Sequence, residues 1–261
     1  MRVAICYSGL VRNFWDCVDS HKKFLFDVLN PDIFIHTWSK IGSNKLPHWY
    51  NSNYNVNQHI NEIELQKDLD IEQIKSLYSP KNIVVEYPSI QHFYDRFYDN
   101  SYPSFFNNVM MHYGICCSNN LKSMYEHTNN FKYDLVIRCR FDLFFEEIVF
   151  DNESIDDIMH NNSIYLAPNE NMDIPFTEVM KRLLEKEGIK YMPNDQFAYG
   201  NSPAMDYYSS VYNIFERDYN FYHKHAEGIL TQHLWTKNTS GFSNIKINNS
   251  IKMRIQSRYW R

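Results

Sequence analysis

The chemistry in this chain is concentrated where charged residues interrupt apolar runs. Between Tyr133 and Phe145 it reads YDLVIRCRFDLFF, with Arg138, Arg140 and Asp142 at alternate positions behind Leu135, Val136 and Ile137. Such a β-branched and apolar run is typical of a sheet covered on both faces, so the segment is expected to be one buried strand with a charged tip. In an extended chain the three charged residues share a face. Desolvating two guanidiniums and a carboxylate is costly unless they are partnered. A bound polyanion with a divalent cation would partner them, and so would a structural ion pair between Asp142 and one arginine.

A second cluster, Ser8-Gly9-Leu10-Val11-Arg12-Asn13, follows the apolar run Val3 to Tyr7 and precedes an amphipathic stretch from Phe14 to Leu29. The order is strand, tight turn, helix. It brings backbone N–H groups, the Ser8 hydroxyl and Arg12 near a helix N-terminus, a favourable place for an anion. The spacing is neither that of a Walker A loop nor G-x-G-x-x-G, and an ordinary βα turn with a surface Arg12 fits the same residues. Further along, Asn194-Asp195-Gln196 leads into a short apolar run, and His223-Lys224-His225-Ala226-Glu227 introduces a last helix over Gly228 to Trp235. His-x-His is a metal-pair spacing, or simply two solvated histidines.

The elements that must position these residues alternate. After the stop at Asn30-Pro31-Asp32, Ile33 to His36 is expected to be the second strand of a βαβ unit. His36, Thr37 and Trp38 would then face the crevice at the carboxyl ends of the strands. Residues 42 to 61 are polar and aromatic without period and read as a loop or lid, and residues 89 to 106 also read as loop. Helical spacing runs from Glu62 to Tyr78, a strand from Ile83 to Tyr87, and a helix from Val109 to Thr128, whose Asn119, Asn120 and Lys122 are expected to form a solvated face. Later come a short helix or turn over Asp151 to Met159, a strand over Ser163 to Ala167, helices over Phe176 to Glu187 and Ala204 to Tyr222, and an alternating, basic tail from Ile245 to Arg261. With no repeat and no low-complexity linker, residues 1–261 read as a single α/β domain: a mixed sheet flanked by helices.

The balance of 44% hydrophobic and 22% charged residues is that of a self-folding globular chain. A net charge of −5 argues against nucleic acid as a partner. The 20 Tyr and 18 Phe against 7 Gly follow an AT-rich coding bias as readily as a function, so a tyrosine alone does not mark a sugar platform. No signal-peptide pattern and no stretch of about 20 apolar residues is present, which makes cytoplasm the expected compartment. Cys6, Cys17, Cys116, Cys117 and Cys139 are odd in number without a CxxC pair, which suits a reducing environment.

Four places taken in order resemble a family. Ser8-Gly9-x-x-Arg12, Tyr133-Asp134-x-x-Ile137-Arg138-x-Arg140-x-Asp142, Asn194-Asp195-Gln196 and Glu227-x-x-Leu230-x-x-His233-Leu234 resemble the small GT-A-type glycosyltransferases of bacterial capsule and lipopolysaccharide synthesis and of viruses. The resemblance implies a GT-A-like, Rossmann-like sheet and a nucleotide-sugar donor with base and ribose near residues 7 to 12, hence at Tyr7, Ser8, Gly9 and Arg12. It also implies a glycan or other hydroxyl acceptor. The central motif stands where the family carries Asp-x-Asp, which holds Mn²⁺ or Mg²⁺ against the diphosphate. Here Arg140 replaces the first aspartate, so the metal falls to Asp142, with His225 as a late ligand beside the alternatives His223 and His233. Arg138 or Arg140 would otherwise neutralise the diphosphate directly. In that frame Asp195 is the catalytic base, Glu227 its rival, and Gln196 orients donor or acceptor hydroxyls. A sulfotransferase, or a non-catalytic carbohydrate-binding protein on the same fold, is the alternative; oligomeric state is not specified.

Overall fold

A computed structural model of the chain describes residues 1–42, 57, 60–61, 64–99, 105–168, 194–215, 226–236 and 245–255. Four parallel strands form its centre: β1 Val3–Ser8, β2 Asp32–Trp38, β3 Asn82–Glu86 and β4 Leu135–Cys139. β1 pairs with β2 on one side and β4 on the other, and β3 joins outside β2. β6 Ile164–Leu166, β7 Phe197–Gly200 and β8 Ile245–Ile247 extend the sheet, giving the order β3-β2-β1-β4-β7-β6-β8. β7 is antiparallel to both β4 and β6, so the sheet is mixed. A separate ribbon pairs β5 Leu143–Glu147 with β9 Lys252–Ile255. The expected α/β class, a mixed sheet flanked by helices, is the one observed.

Alternation within each central strand builds two cores. Ala4, Cys6, Phe34 and Val136 enter one; Val3, Ile5, Tyr7, Ile33, Ile35, Leu135 and Ile137 enter the other. Both faces are covered, so the strands lack a polar face. The first core is closed by a 25-residue helix, Phe105–Asn129, lying across β1 and β2, and by Ser202–Ser209 and Val211–Phe215. On the other face α1, Phe14–His21, continues through a wider turn at Lys22–Phe26 to Leu29, where Asn30 in the left-handed region ends it before Pro31.

Several expectations need correcting. The segment Tyr133 to Phe145 is not one strand: it stops at Cys139, turns through Arg140, Phe141 and Asp142, and resumes as β5 with a different partner. Arg138, Arg140 and Asp142 therefore share no strand face. Ile90–Phe97 is a helix, not loop, because Ile90, Phe93 and Phe97 recur at helical spacing and bury one face. The helix expected from Glu62 to Tyr78 is interrupted: Glu64 is helical, residues 65 to 70 are not, and helix resumes over Ile71–Tyr78, where the Asp70 side chain accepts from Gln73 N–H at 3.1 Å and caps it. Lys122 and Asn119 belong to no solvated face. Lys122 is fully buried, its Nζ donating to Ser202 Oγ at 2.6 Å, Asp206 Oδ1 at 2.8 Å and Glu126 Oε2 at 3.2 Å, which pins the long helix to Ser202–Ser209. The helix expected over Phe176 to Glu187, most of the loop over 42 to 61, and the last residues of the tail lie outside the described residues. No described helix is long and apolar enough to cross a membrane.

Candidate active site

The carboxyl ends of β1 and β4 meet at Asp142. Its carboxylate is fully buried and accepts from Arg140 twice, Nε to Oδ1 at 2.9 Å and Nη2 to Oδ2 at 2.7 Å, and from Arg12 Nη1 to Oδ2 at 2.8 Å. Burial alone would raise its pKa, but the Arg140 and Arg12 guanidiniums outweigh that and hold it well below the usual carboxylate range. The structural ion pair thus takes in both turn arginines, one from each strand end. Arg12 reaches the site because the first turn is tight: Gly9 has φ +106°, a conformation that favours glycine, and Arg12 has φ +45° with its N–H donating to Ile41 O at 2.7 Å.

A buried block stands behind the Arg140–Asp142 turn. His21 Nε2 donates to Leu143 O at 2.7 Å, leaving Nδ1 to accept from Tyr7 Oη at 3.1 Å and Tyr78 Oη at 3.4 Å, and Tyr7 stacks on Phe141. Tyr7 faces this core rather than the crevice, so the ligand contact implied for it does not fit its placement. Desolvation pushes His21 down to about 4, so it is neutral when folded. Because its ordinary value of 6.5 is higher, the unfolded chain takes up that proton first, and stability falls as pH drops from about 6.5 towards about 4. Replacing His21 by alanine is expected to cost about 3 kcal/mol by leaving two tyrosine hydroxyls and a carbonyl unmatched. It should also flatten the acid limb. Urea unfolding at pH 7 and pH 5 checks both, and an unchanged pH slope would show that His21 is not the group responsible.

Arg138 points the other way, under the helices, and is 1% exposed. Its Nη1 donates to Gln196 O at 2.7 Å, tying β4 to the turn that enters β7. That turn is made by Asn194, whose Oδ1 accepts from Gln196 N–H at 2.8 Å. Asp195, 5% exposed, is thereby set beside the end of β4, since Cys139 pairs with Phe197. Glu227 opens the helix Ala226–Thr231 and is half-buried. Desolvation, with the negative charge of Asp195 added, raises Glu227 to about 7. Burial opposes the charge of Arg140, but Asp142, Asp195 and Glu227 together hold its pKa above the ordinary value. Arg12, Arg140, Asp142, Asp195 and Glu227, from four stretches of chain, are therefore linked in one charge cluster.

Ser8 and Gly9 lie at the same strand ends. His36 is there too, with Nε2 on Glu86 Oε2 at 3.2 Å, and Thr37 Oγ1 donates to Gly9 O at 2.8 Å. His223 and His225 lie outside the described residues. His233 is 2% exposed, with Nε2 donating to Tyr207 O at 2.8 Å and its ring stacked on Tyr207, which places it in helix packing. Sequence reasoning gave no role to Glu86 and Tyr113, whose hydroxyl donates to Glu86 at 3.0 Å. The available signal was an acidic residue closing a strand at the crevice end.

These features define an α/β protein with a charged, arginine-bearing cluster at the carboxyl ends of its parallel strands. No family model and no curated protein matches the chain. Among solved structures it is similar to core-mannan synthase A (CmsA) from Aspergillus fumigatus in the Mn/GDP form, with a TM-score of 0.47 and 10% identity over 97% of this chain and 74% of that one. At that level of likeness the site rests on its own residues.

Proposed function

We propose that the chain is a GT-A-like glycosyltransferase, moving a sugar from a nucleotide-sugar donor to a hydroxyl of a glycan or similar acceptor. The observation that carries the reading is the charge cluster: the Arg12 and Arg140 guanidiniums fixed on Asp142, with the carboxyls of Asp195 and Glu227 near enough to act on Arg140. The acceptor oxygen must lose a proton as it attacks the anomeric carbon, and the departing nucleoside diphosphate gains negative charge. Asp195 takes the proton. Glu227 keeps its own proton up to about 7 and is the poorer acceptor below that pH. Arg140 and Arg12 meet the developing charge, as preorganised cations do in a site shielded from water.

The metal expected at Asp142 does not fit the arrangement described. Both oxygens of that carboxylate are held by guanidiniums and the group is fully buried. Among the described residues no three His, Cys, Asp or Glu side chains are grouped to hold an ion. No step of the reading runs through a metal.

A thermal-shift series with UDP, GDP, ADP and CDP and their sugar esters, each with Mn²⁺ and with EDTA, tests the reading. A ligand at a hundred times its Kd adds about 2.7 kcal/mol to the folded state. One nucleotide class is expected to raise the melting temperature in EDTA as well as in Mn²⁺. A rise only with Mn²⁺ would mean that a metal displaces an arginine from Asp142, and no rise in folded protein would end the nucleotide-sugar reading.

A further inference from the structure

Arg138 is a buried cation that the charge cluster does not use. It alternates with Val136 on β4, and its register partners are Cys6 on β1 and Ala198 on β7, so its side chain enters the core that holds all three. There it is 1% exposed, its Nε has no hydrogen-bond partner, and it forms no ion pair among the described residues. Of the groups that act on it most strongly, Asp195 is the one carboxylate. A guanidinium buried without a carboxylate against it is costly, and an apolar side chain of similar volume would serve stability as well. Stability alone does not call for the charge.

The contacts of Arg138 lead to Asp195. Nη1 donates to Gln196 O at 2.7 Å, one residue past that carboxylate, while Asn194 Oδ1 accepts from Gln196 N–H at 2.8 Å. Both polar groups of the Gln196 backbone are thus held, one of them by a charged donor. The Asp195 carboxylate itself takes no hydrogen bond among the described residues, so its position comes through the backbone of this turn. The other groups that act on it are Arg140 from the turn after β4, Tyr208 from Ser202–Ser209 and Glu227 from Ala226–Thr231. Arg140 is already bound to Asp142, and burial keeps Tyr208 neutral by pushing its hydroxyl up. His112 of the long helix, close to Arg138, is lowered to about 3 by burial and is neutral too. Among the described residues Arg138 is therefore the positive charge near Asp195 that no carboxylate neutralises.

Resting on the assignment of Asp195 as the base, we propose that Arg138 is a positioning residue for the transfer: without touching donor or acceptor, it fixes the Asp195 turn through the Gln196 carbonyl and sets a permanent positive charge near the carboxylate that takes the proton. This separates it from Arg12 and Arg140, which meet the leaving diphosphate.

The test is steady-state release of nucleoside diphosphate, across pH, from the UDP-, GDP-, ADP- or CDP-sugar that the thermal-shift series selects. The full native chain is compared with Arg138→Lys and Arg138→Gln. Arg138→Lys keeps the charge but loses the planar donor, so kcat is expected to fall about tenfold, with KM and nucleoside diphosphate Kd within about twofold and the acid limb of kcat in its native place. Arg138→Gln loses the charge as well. Its kcat should fall about a hundredfold, and its acid limb should move to higher pH, because removing a nearby positive charge favours the protonated carboxyl. A merely structural Arg138 would lower the melting temperature of both variants and leave kcat per folded molecule and the acid limb unchanged, which would overturn the role. A tenfold or greater rise in Kd, about 1.4 kcal/mol, would overturn it too, by putting Arg138 on the diphosphate. If Arg138→Gln does not fold, Arg138→Lys decides: a lower kcat at unchanged KM supports the role, and native kcat overturns it. Normal turnover by Asp195→Asn would overturn the base assignment and this role with it, whereas native kcat in the Arg138 variants overturns the role alone.

Discussion

Asp142→Ala is expected to cost about 3–5 kcal/mol of stability at pH 7, the largest single effect in the chain. The reason is asymmetry. The carboxylate is fully buried and takes three hydrogen bonds from Arg12 and Arg140, themselves only 16% and 18% exposed. Removing it leaves two guanidiniums close together, largely desolvated, without the charge that offsets them. An exposed ion pair would lose about 1 kcal/mol or less, because water replaces the partner. Asp142→Asn, similar in shape but uncharged, should recover only a minor part of the loss. The pH dependence has a definite sign. The folded pKa lies below the ordinary value of 3.8, so the contribution is complete above that value and is lost only as pH falls through the folded pKa. Urea unfolding of the three proteins at pH 7 decides the matter, and a loss near 1 kcal/mol would show that the arginines find other partners.

Asp195→Asn should leave nucleoside diphosphate affinity within about twofold and lower transfer by about 10²–10⁴. It keeps the shape of the turn, which depends on Asn194 Oδ1 and the Gln196 N–H rather than on the Asp195 carboxylate. What it removes is the proton acceptor. Glu227→Gln makes the contrasting prediction. Its carboxyl is raised to about 7 by burial and by Asp195, against an ordinary 4.5, so the folded state binds its proton more tightly than the unfolded chain. Stability should therefore fall as pH rises from about 4.5 to about 7, and Glu227→Gln should flatten that fall. In Asp195→Asn the negative charge beside Glu227 is gone, and its titration should move down. Normal turnover by Asp195→Asn, with loss in Glu227→Gln, would move the base to Glu227.

The α/β class and the alternation of the first strands and helices were determined by local pattern. The β-branched run at Leu135 to Ile137, the stop at Asn30-Pro31 and the recurring apolar residues of the long helix act over a few residues, and periodicity reports them. The same pattern placed Ser8, Arg12, Asp142, Asp195 and Glu227 near strand or helix ends, where the structure has them. Partnership was another matter. Strict alternation put Arg138, Arg140 and Asp142 on one face; the turn after Cys139 instead sends Arg138 beneath the helices and folds Arg140 back onto Asp142. Lys122 looked like surface because its three acceptors come from Glu126, one turn on in the same helix, and from Ser202 and Asp206, about 80 residues away. Tyr7 looked like a ligand contact until its register sent it to the His21 side of the sheet. Which face a residue takes at a strand end, and which charge it meets there, depends on sheet order and helix docking. Those are set by burial summed over the whole chain, and only the tertiary structure decides them.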